Sequence, residues 1–475
     1  QANNNIPKFT SILVFGDSSV DTGNNNHIDT IAKGNHLPYG QDFTNHIPTG
    51  RFSNGKLVPD MLSISLGLKK NGVPPYLQRD LSKNDLITGV CFASGGTGYD
   101  ELTSTISGVI SMKEELEYFK EYLSKIKDIV GGNSSEVERI VNGALVIVSA
   151  GTNDLLFNFY DLPNRRLQFS LSGYQDFLLD KVQSFIKELY YLGCRNIIVN
   201  GLPPVGCLPM QITAKSPLFR SCINDENLDA QIYNEKLQDL LIQLQSHLPG
   251  SKILYVDTYN FISGLIHNPQ LHGFEETKVG CCGSGLIEAG PFCTELSSVC
   301  PNPSQYIFFD SIHPTESTYY KATQYLIKQL LPKFEENYVL SMARVKALGF
   351  LALLVLSTLV MVSEGRVARK DLGLDLGGGV GVGVGAGVGL GLGGGSGSGA
   401  GAGAGSGSGS GSRSSSSSSS SSGSTSSGNG NAGSEAGSYA GSRAGSGSGS
   451  RGGSSEAGSE AGSYAGSRAG SGSGN

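Results

Sequence analysis

Three side chains suited to nucleophilic hydrolysis stand far apart in this chain. Ser18 closes Gly16-Asp17-Ser18, directly after the apolar run Ser11-Ile12-Leu13-Val14-Phe15. A buried strand that delivers a serine to the rim of a sheet is one way to present a nucleophile. Much further on stands Asp310-Ser311-Ile312-His313-Pro314. Asp and His at i and i+3 share one face of a helical turn. The carboxylate can then accept from one imidazole nitrogen while the other faces a substrate, which fixes the tautomer of a general base. The remaining histidines lack this arrangement; His272, beside Gly273, reads as a loop residue.

Two further stretches could hold a developing negative charge. Asn153, in Gly151-Thr152-Asn153-Asp154, offers a side-chain amide. Gly95, in Ser94-Gly95-Gly96, offers a backbone N–H that no side chain blocks. With the Ser18 N–H they would make an oxyanion hole, where losing one donor costs about 10²–10³ in turnover. Each stretch alone also describes an ordinary turn or tight bend. Their joint occurrence at successive strand ends favours a site.

The elements that must position these residues alternate. Strand-like runs fall at 11–15, 90–93, 144–148, 196–199 and 253–257. Helical patterns fall between them at 56–66, around the Leu116, Phe119, Leu123 and Ile126 stripe, at 177–189 and at 228–248, and a last one follows at 315–331. This order predicts an α/β fold with a doubly wound, mostly parallel sheet, whose sites form at the carboxyl ends of the strands. Gly-x-Ser-x-Gly is absent from the globular region, which disfavours the α/β-hydrolase elbow.

The net charge of −6 is mild, and no basic stripe points to nucleic acid. All 8 cysteines lie between Cys91 and Cys300. Zinc sites want paired half-sites at fixed spacing; adjacent Cys281-Cys282 followed by irregular gaps fits loop disulfides better. Disulfides imply an oxidising compartment. The sequon Asn133-Ser134-Ser135 agrees with secretion and glycosylation. The chain opens at Gln1 and reads as trimmed or as a fragment.

Composition changes after residue 339. Residues 340–365 hold a basic front, an apolar run at 347–362 and small residues behind, the layout of a secretory signal peptide. The run is short for a transmembrane helix, which wants about 20 residues. Residues 366–475 are mostly Gly, Ser and Ala, with Gly-Ser-Glu-Ala-Gly-Ser-Tyr-Ala-Gly-Ser-Arg-Ala at Gly433 and again at Gly458. Such composition buries too little apolar surface to offset chain entropy, so disorder is expected. Two readings follow. One is a hydrolase-like domain, 1–339, artificially joined to a second secreted protein that resembles a plant glycine-rich protein. The other is one protein with a membrane anchor at 347–362 and a flexible tail.

As a set, Gly16-Asp17-Ser18-Ser19, Gly95, Gly151-Thr152-Asn153-Asp154 and Asp310-Ser311-Ile312-His313 resemble the four blocks of the SGNH hydrolases, and most closely the plant GDSL esterases/lipases. Phe92-Ala93-Ser94-Gly95-Gly96, Gly201-Leu202-Pro203-Pro204-Val205-Gly206-Cys207-Leu208-Pro209 and Cys281-Cys282-Gly283 are similar to that plant subgroup. The resemblance covers about residues 8–335 and implies a flavodoxin-like three-layer α/β/α fold. It implies Ser18 as nucleophile, His313 as base and Asp310 as its orienting acid, with an oxyanion hole from Ser18, Gly95 and Asn153. It further implies a secreted monomer that takes a small-molecule or lipid ester, with no cofactor or metal. A catalytically silent lipid- or cell-wall-binding protein on the same fold is the alternative. Two departures stand out. Ser19 replaces the Leu of the family name, and Cys91 replaces an Asn before Phe-Ala-Ser-Gly, adding a possible free thiol.

Overall fold

The computed structural model describes residues 8–335 and, beyond them, the backbone of short strands between residues 413 and 474. The chain divides into two units, Gln1–Val367 and Ala368–Asn475. In the first, β1 (Ile12–Gly16), β2 (Leu145–Ser149), β3 (Asn196–Asn200) and β4 (Lys252–Val256) pair in parallel, in the order β1-β2-β3-β4. A fifth segment, 88–94, runs beside the free edge of β1. Ile12 and Val14 donate to the carbonyls of Thr88 and Val90, and Phe92 and Ser94 donate back to Val14 and Gly16. Counted as a strand, it gives the doubly wound order 2-1-3-4-5. The chain reverses its winding between β1 and β2, and their carboxyl ends carry Ser18 and Asn153.

The helices are α1 (Val58–Ser65), α2 (Lys83–Ile87), α3 (Glu101–Ser107), α4 (Met112–Ile129), α5 (Ser134–Asn142), α6 (Leu171–Tyr191), α7 (Pro209–Lys215), α8 (Asn224–His247), α9 (Thr258–His267) and α10 (Glu316–Tyr325). Side chains alternate along each strand, so the sheet has two buried faces. Leu13, Phe15, Val146, Val148, Ile197 and Val199 pack with Phe119 of α4, Leu178 of α6 and Leu237 of α8. Ile12, Val14, Leu145, Ile147 and Ile198 pack with Leu62 of α1 and with Leu326, Leu330 and Phe334 after α10. The result is three layers, helix on sheet on helix. A two-strand pair, β5 (Glu276–Gly280) and β6 (Tyr306–Phe308), lies outside the main sheet and leads into Asp310.

Some boundaries differ from the sequence reading. The helix expected at 315–331 is α-helical only through Tyr325, then widens to a π turn at Leu326–Leu330 and tightens to a 3-10 turn at Leu331–Phe334, where Pro332 removes a donor. Six cysteines pair as Cys207–Cys222, Cys281–Cys300 and Cys282–Cys293, the disulfide reading rather than the zinc one. Among the described residues, no helix is long and apolar enough to cross a membrane. The apolar run at 347–362 lies outside the described residues.

In the second unit, strands Ala432–Ala436, Ser442–Ser450, Gly453–Ala461 and Ser467–Gly474 pair antiparallel. Each copy of the sequence repeat contributes one hairpin, with Glu435 opposite Arg443 and Glu460 opposite Arg468. In these stretches the backbone runs as strand where disorder was expected. The rest of that expectation falls on residues outside those described.

Candidate active site

The site begins with a glycine. Gly16 ends β1 at φ 130°, and a Cβ there would collide with the carbonyl oxygen of Ser149 on β2. Only glycine lets β1 lie this close to β2 and then break. The chain turns at once, with Val20 and Asp21 donating to the Asp17 carbonyl at 3.1 and 2.9 Å. Ser18 sits at the head of that turn, 8% exposed. From behind, Glu115 of α4 accepts the Gly16 N–H at 2.8 Å. Burial drives the Glu115 carboxyl well above its ordinary range.

His313 meets Ser18 there. Its Nε2 lies 2.8 Å from Ser18 Oγ, and its Nδ1 lies 2.7 Å from Asp310 Oδ2. Asp310 and His313 do come together across three residues, but not on a helical turn. They occupy a bend after β6, where Asp310 Oδ1 accepts from the N–H of Ile312 at 2.8 Å and of His313 at 2.7 Å. An Asp side chain that caps its own turn achieves the same proximity as a helix. Fully buried and so held, the carboxylate is locked against the imidazole.

Two aromatic residues that the sequence reading missed complete the series. Tyr39 donates to Asp310 Oδ2 at 2.6 Å and accepts from the Gly290 N–H at 2.7 Å. Phe52 stacks on the His313 ring, centroids 5.1 Å apart at 30°. Phe52 is held by its neighbour. Arg51 makes a buried two-pronged pair with Asp60, both contacts 2.7 Å, and donates to the carbonyls of Thr22 and Val73.

The oxyanion candidates divide. Asn153 caps the π-helical stretch Asp154–Asp161 just past the end of β2. Its Nδ2 donates to the Thr97 carbonyl at 2.9 Å, leaving its second N–H. The Ser18 N–H meets no acceptor among the described residues. Gly95 departs from expectation: its N–H is bonded to Asp21 Oδ2 at 2.9 Å, so it is occupied within the fold. Asp21 also accepts from Gly23 and Asn24, and its buried carboxyl is pushed up to about 6. The Phe52 ring occupies the space a Gly95 side chain would fill.

Cys91 is free and buried, its Sγ 3.3 Å from the Val20 carbonyl, and burial pushes the thiol well up. It fills the sheet edge and takes no part at Ser18. Ser19 Oγ donates to Asp17 at 2.6 Å and meets Ser149 Oγ at 2.9 Å, so the residue that replaces Leu joins a polar network.

A parallel α/β sheet with a serine, a histidine and an aspartate hydrogen-bonded in series at its carboxyl edge has the architecture of a serine-type hydrolase. Comparison with known proteins narrows the class. Residues 12–326 match the GDSL-like lipase/acylhydrolase family, and the chain belongs to it. A GDSL esterase/lipase of Arabidopsis thaliana is 51% identical over 316 residues, covering 66% of this chain and 87% of that protein. Two others from the same plant are 50% identical over 321 residues (67% and 89%) and 47% identical over 330 residues (69% and 91%). The protein is a hydrolase acting on ester bonds.

Proposed function

We propose that the chain is a secreted carboxylic-ester hydrolase that works through an acyl-enzyme on Ser18. The observation that carries this reading is the unbroken series Ser18 Oγ, His313, Asp310, with contacts of 2.8 and 2.7 Å. His313 Nε2 takes the Ser18 proton as Oγ attacks the ester carbonyl. The Ser18 N–H and the free N–H of Asn153 face the oxygen that gains charge. His313 returns the proton to the departing alkoxide. Water then repeats the sequence on the acyl-enzyme and frees the acid. Asp310 keeps the ring in the required tautomer and stabilises the imidazolium. Small-molecule or lipid esters are the substrates. Three disulfides support a secreted setting. Residues 1–339 form the hydrolase domain in this reading.

The test is turnover of p-nitrophenyl butyrate by the full chain beside Ser18→Ala. The variant is expected to lose at least about 10³-fold in kcat. Equal turnover by both proteins would refute the assignment.

A further inference from the structure

Below Ser18 a cavity of about 140 Å³ runs under the carboxyl ends of β2, β3 and β4. Ser18, Asn153 and His313 line its mouth. Its walls are Ile147, Ile198, Val256, Phe261, Ala322 and Leu326. Phe261 of α9 packs on Tyr325 of α10, ring centroids 5.6 Å apart, which closes one side. Tyr319 of α10 also lines it, 6% exposed, and its hydroxyl meets no hydrogen-bond partner among the described residues.

We propose that this cavity is the acyl-chain site and that it selects medium-chain acyl groups. The inference rests on the ester-hydrolase reading above. Through both chemical steps the acyl group stays bonded to Ser18 Oγ, while the alcohol leaves after the first. An enclosed apolar space opening at Oγ suits the half that stays. Its size sets the length. An apolar cavity of about 150 Å³ takes up one benzene, a six-carbon body, and this cavity is of similar size. That leaves room for an acyl chain of roughly six to eight carbons. A hexadecanoyl chain outruns it. An acetyl group leaves it mostly empty, forgoing up to about fourfold in affinity per unburied methylene.

The experiment compares kcat/KM for p-nitrophenyl acetate, octanoate and hexadecanoate on the full chain. Octanoate should exceed acetate by at least roughly tenfold, and hexadecanoate should fall below octanoate. Ala322→Phe places a ring in the cavity from α10 and should lower the octanoate-to-acetate ratio at least roughly tenfold. Leu326→Ala enlarges the same space and should move the optimum to longer chains. Melting curves check that both variants fold. If the wild type hydrolyses these esters but neither variant shifts the chain-length profile, the acyl-site inference is overturned. If the wild type hydrolyses none of them, the ester-hydrolase reading itself falls, and this inference with it.

Discussion

The hydroxyl of Tyr39 lies 2.6 Å from Asp310 Oδ2, the same oxygen that His313 Nδ1 meets at 2.7 Å. The two residues are 271 positions apart, and the contact makes Tyr39 an outer support for the imidazole. Tyr39→Phe removes a donor to a charged group and orphans the Gly290 N–H. We expect kcat to fall roughly three- to tenfold with KM nearly unchanged, and stability to drop by about 1–2 kcal/mol. Steady-state kinetics and a melting curve check both; an unchanged kcat would remove Tyr39 from the series.

Arg51 and Asp60 anchor the segment that carries Phe52. Breaking a buried ion pair strands a charge and costs about 3–5 kcal/mol. Asp60→Ala and Arg51→Ala should each unfold at clearly lower denaturant. Replacing both by apolar residues should recover part of that loss. Additive losses in the double variant would argue against the pair.

Asp154 gives a pH signature. Its buried carboxyl accepts from the N–H of Tyr99 and Asp100 and from Thr103, yet burial pushes it up to about 7, above an ordinary 3.8. A folded-state value above the unfolded one favours the fold fully at low pH, and that contribution fades as pH rises through about 7. The slope is about 1.4 kcal/mol per pH unit between about 3.8 and 7, and it levels off above. Melting temperatures from pH 5 to 8 should fall for the wild type relative to Asp154→Asn. Parallel curves would contradict the assignment.

The thiols give a count. Cys91 and Cys194 are free and buried, with both thiols pushed up by burial. A thiol reagent should find neither in the native protein and both in denaturant. Cys282→Ser with Cys293→Ser opens a loop of sequence separation 11 and should cost about 3 kcal/mol. It should also slow turnover, because the disulfide holds the loop whose Cys282 backbone N–H donates to the Phe309 carbonyl beside Asp310.

Much of this arrangement was legible in the sequence, and the exceptions share a cause. The strands expected at 11–15, 144–148, 196–199 and 253–257 appear within one residue of β1 to β4, because runs buried on both faces are apolar without interruption. Ser18 was expected to meet Asp310 and His313 from its place after a strand and from their i, i+3 spacing, and the three lie in hydrogen-bond contact. Tyr39, Phe52 and Glu115 were not expected at the site. The first two lie in a long loop region without periodicity, and Glu115 reads as an ordinary first-turn acid of α4. Only packing turns it toward Gly16. At Gly95 the sequence shows that the N–H can approach a ligand, not that it points to Asp21. The pairing of Cys281 and Cys282 with Cys300 and Cys293 has no local sequence signal.

Covalent labelling tests the hydroxyl–imidazole–carboxylate series most directly. A fluorophosphonate should add once to the full chain, map to the Ser18 peptide, and lose at least about 10²-fold in rate in His313→Ala. Labelling at another residue, or at an undiminished rate without the imidazole, would contradict the account.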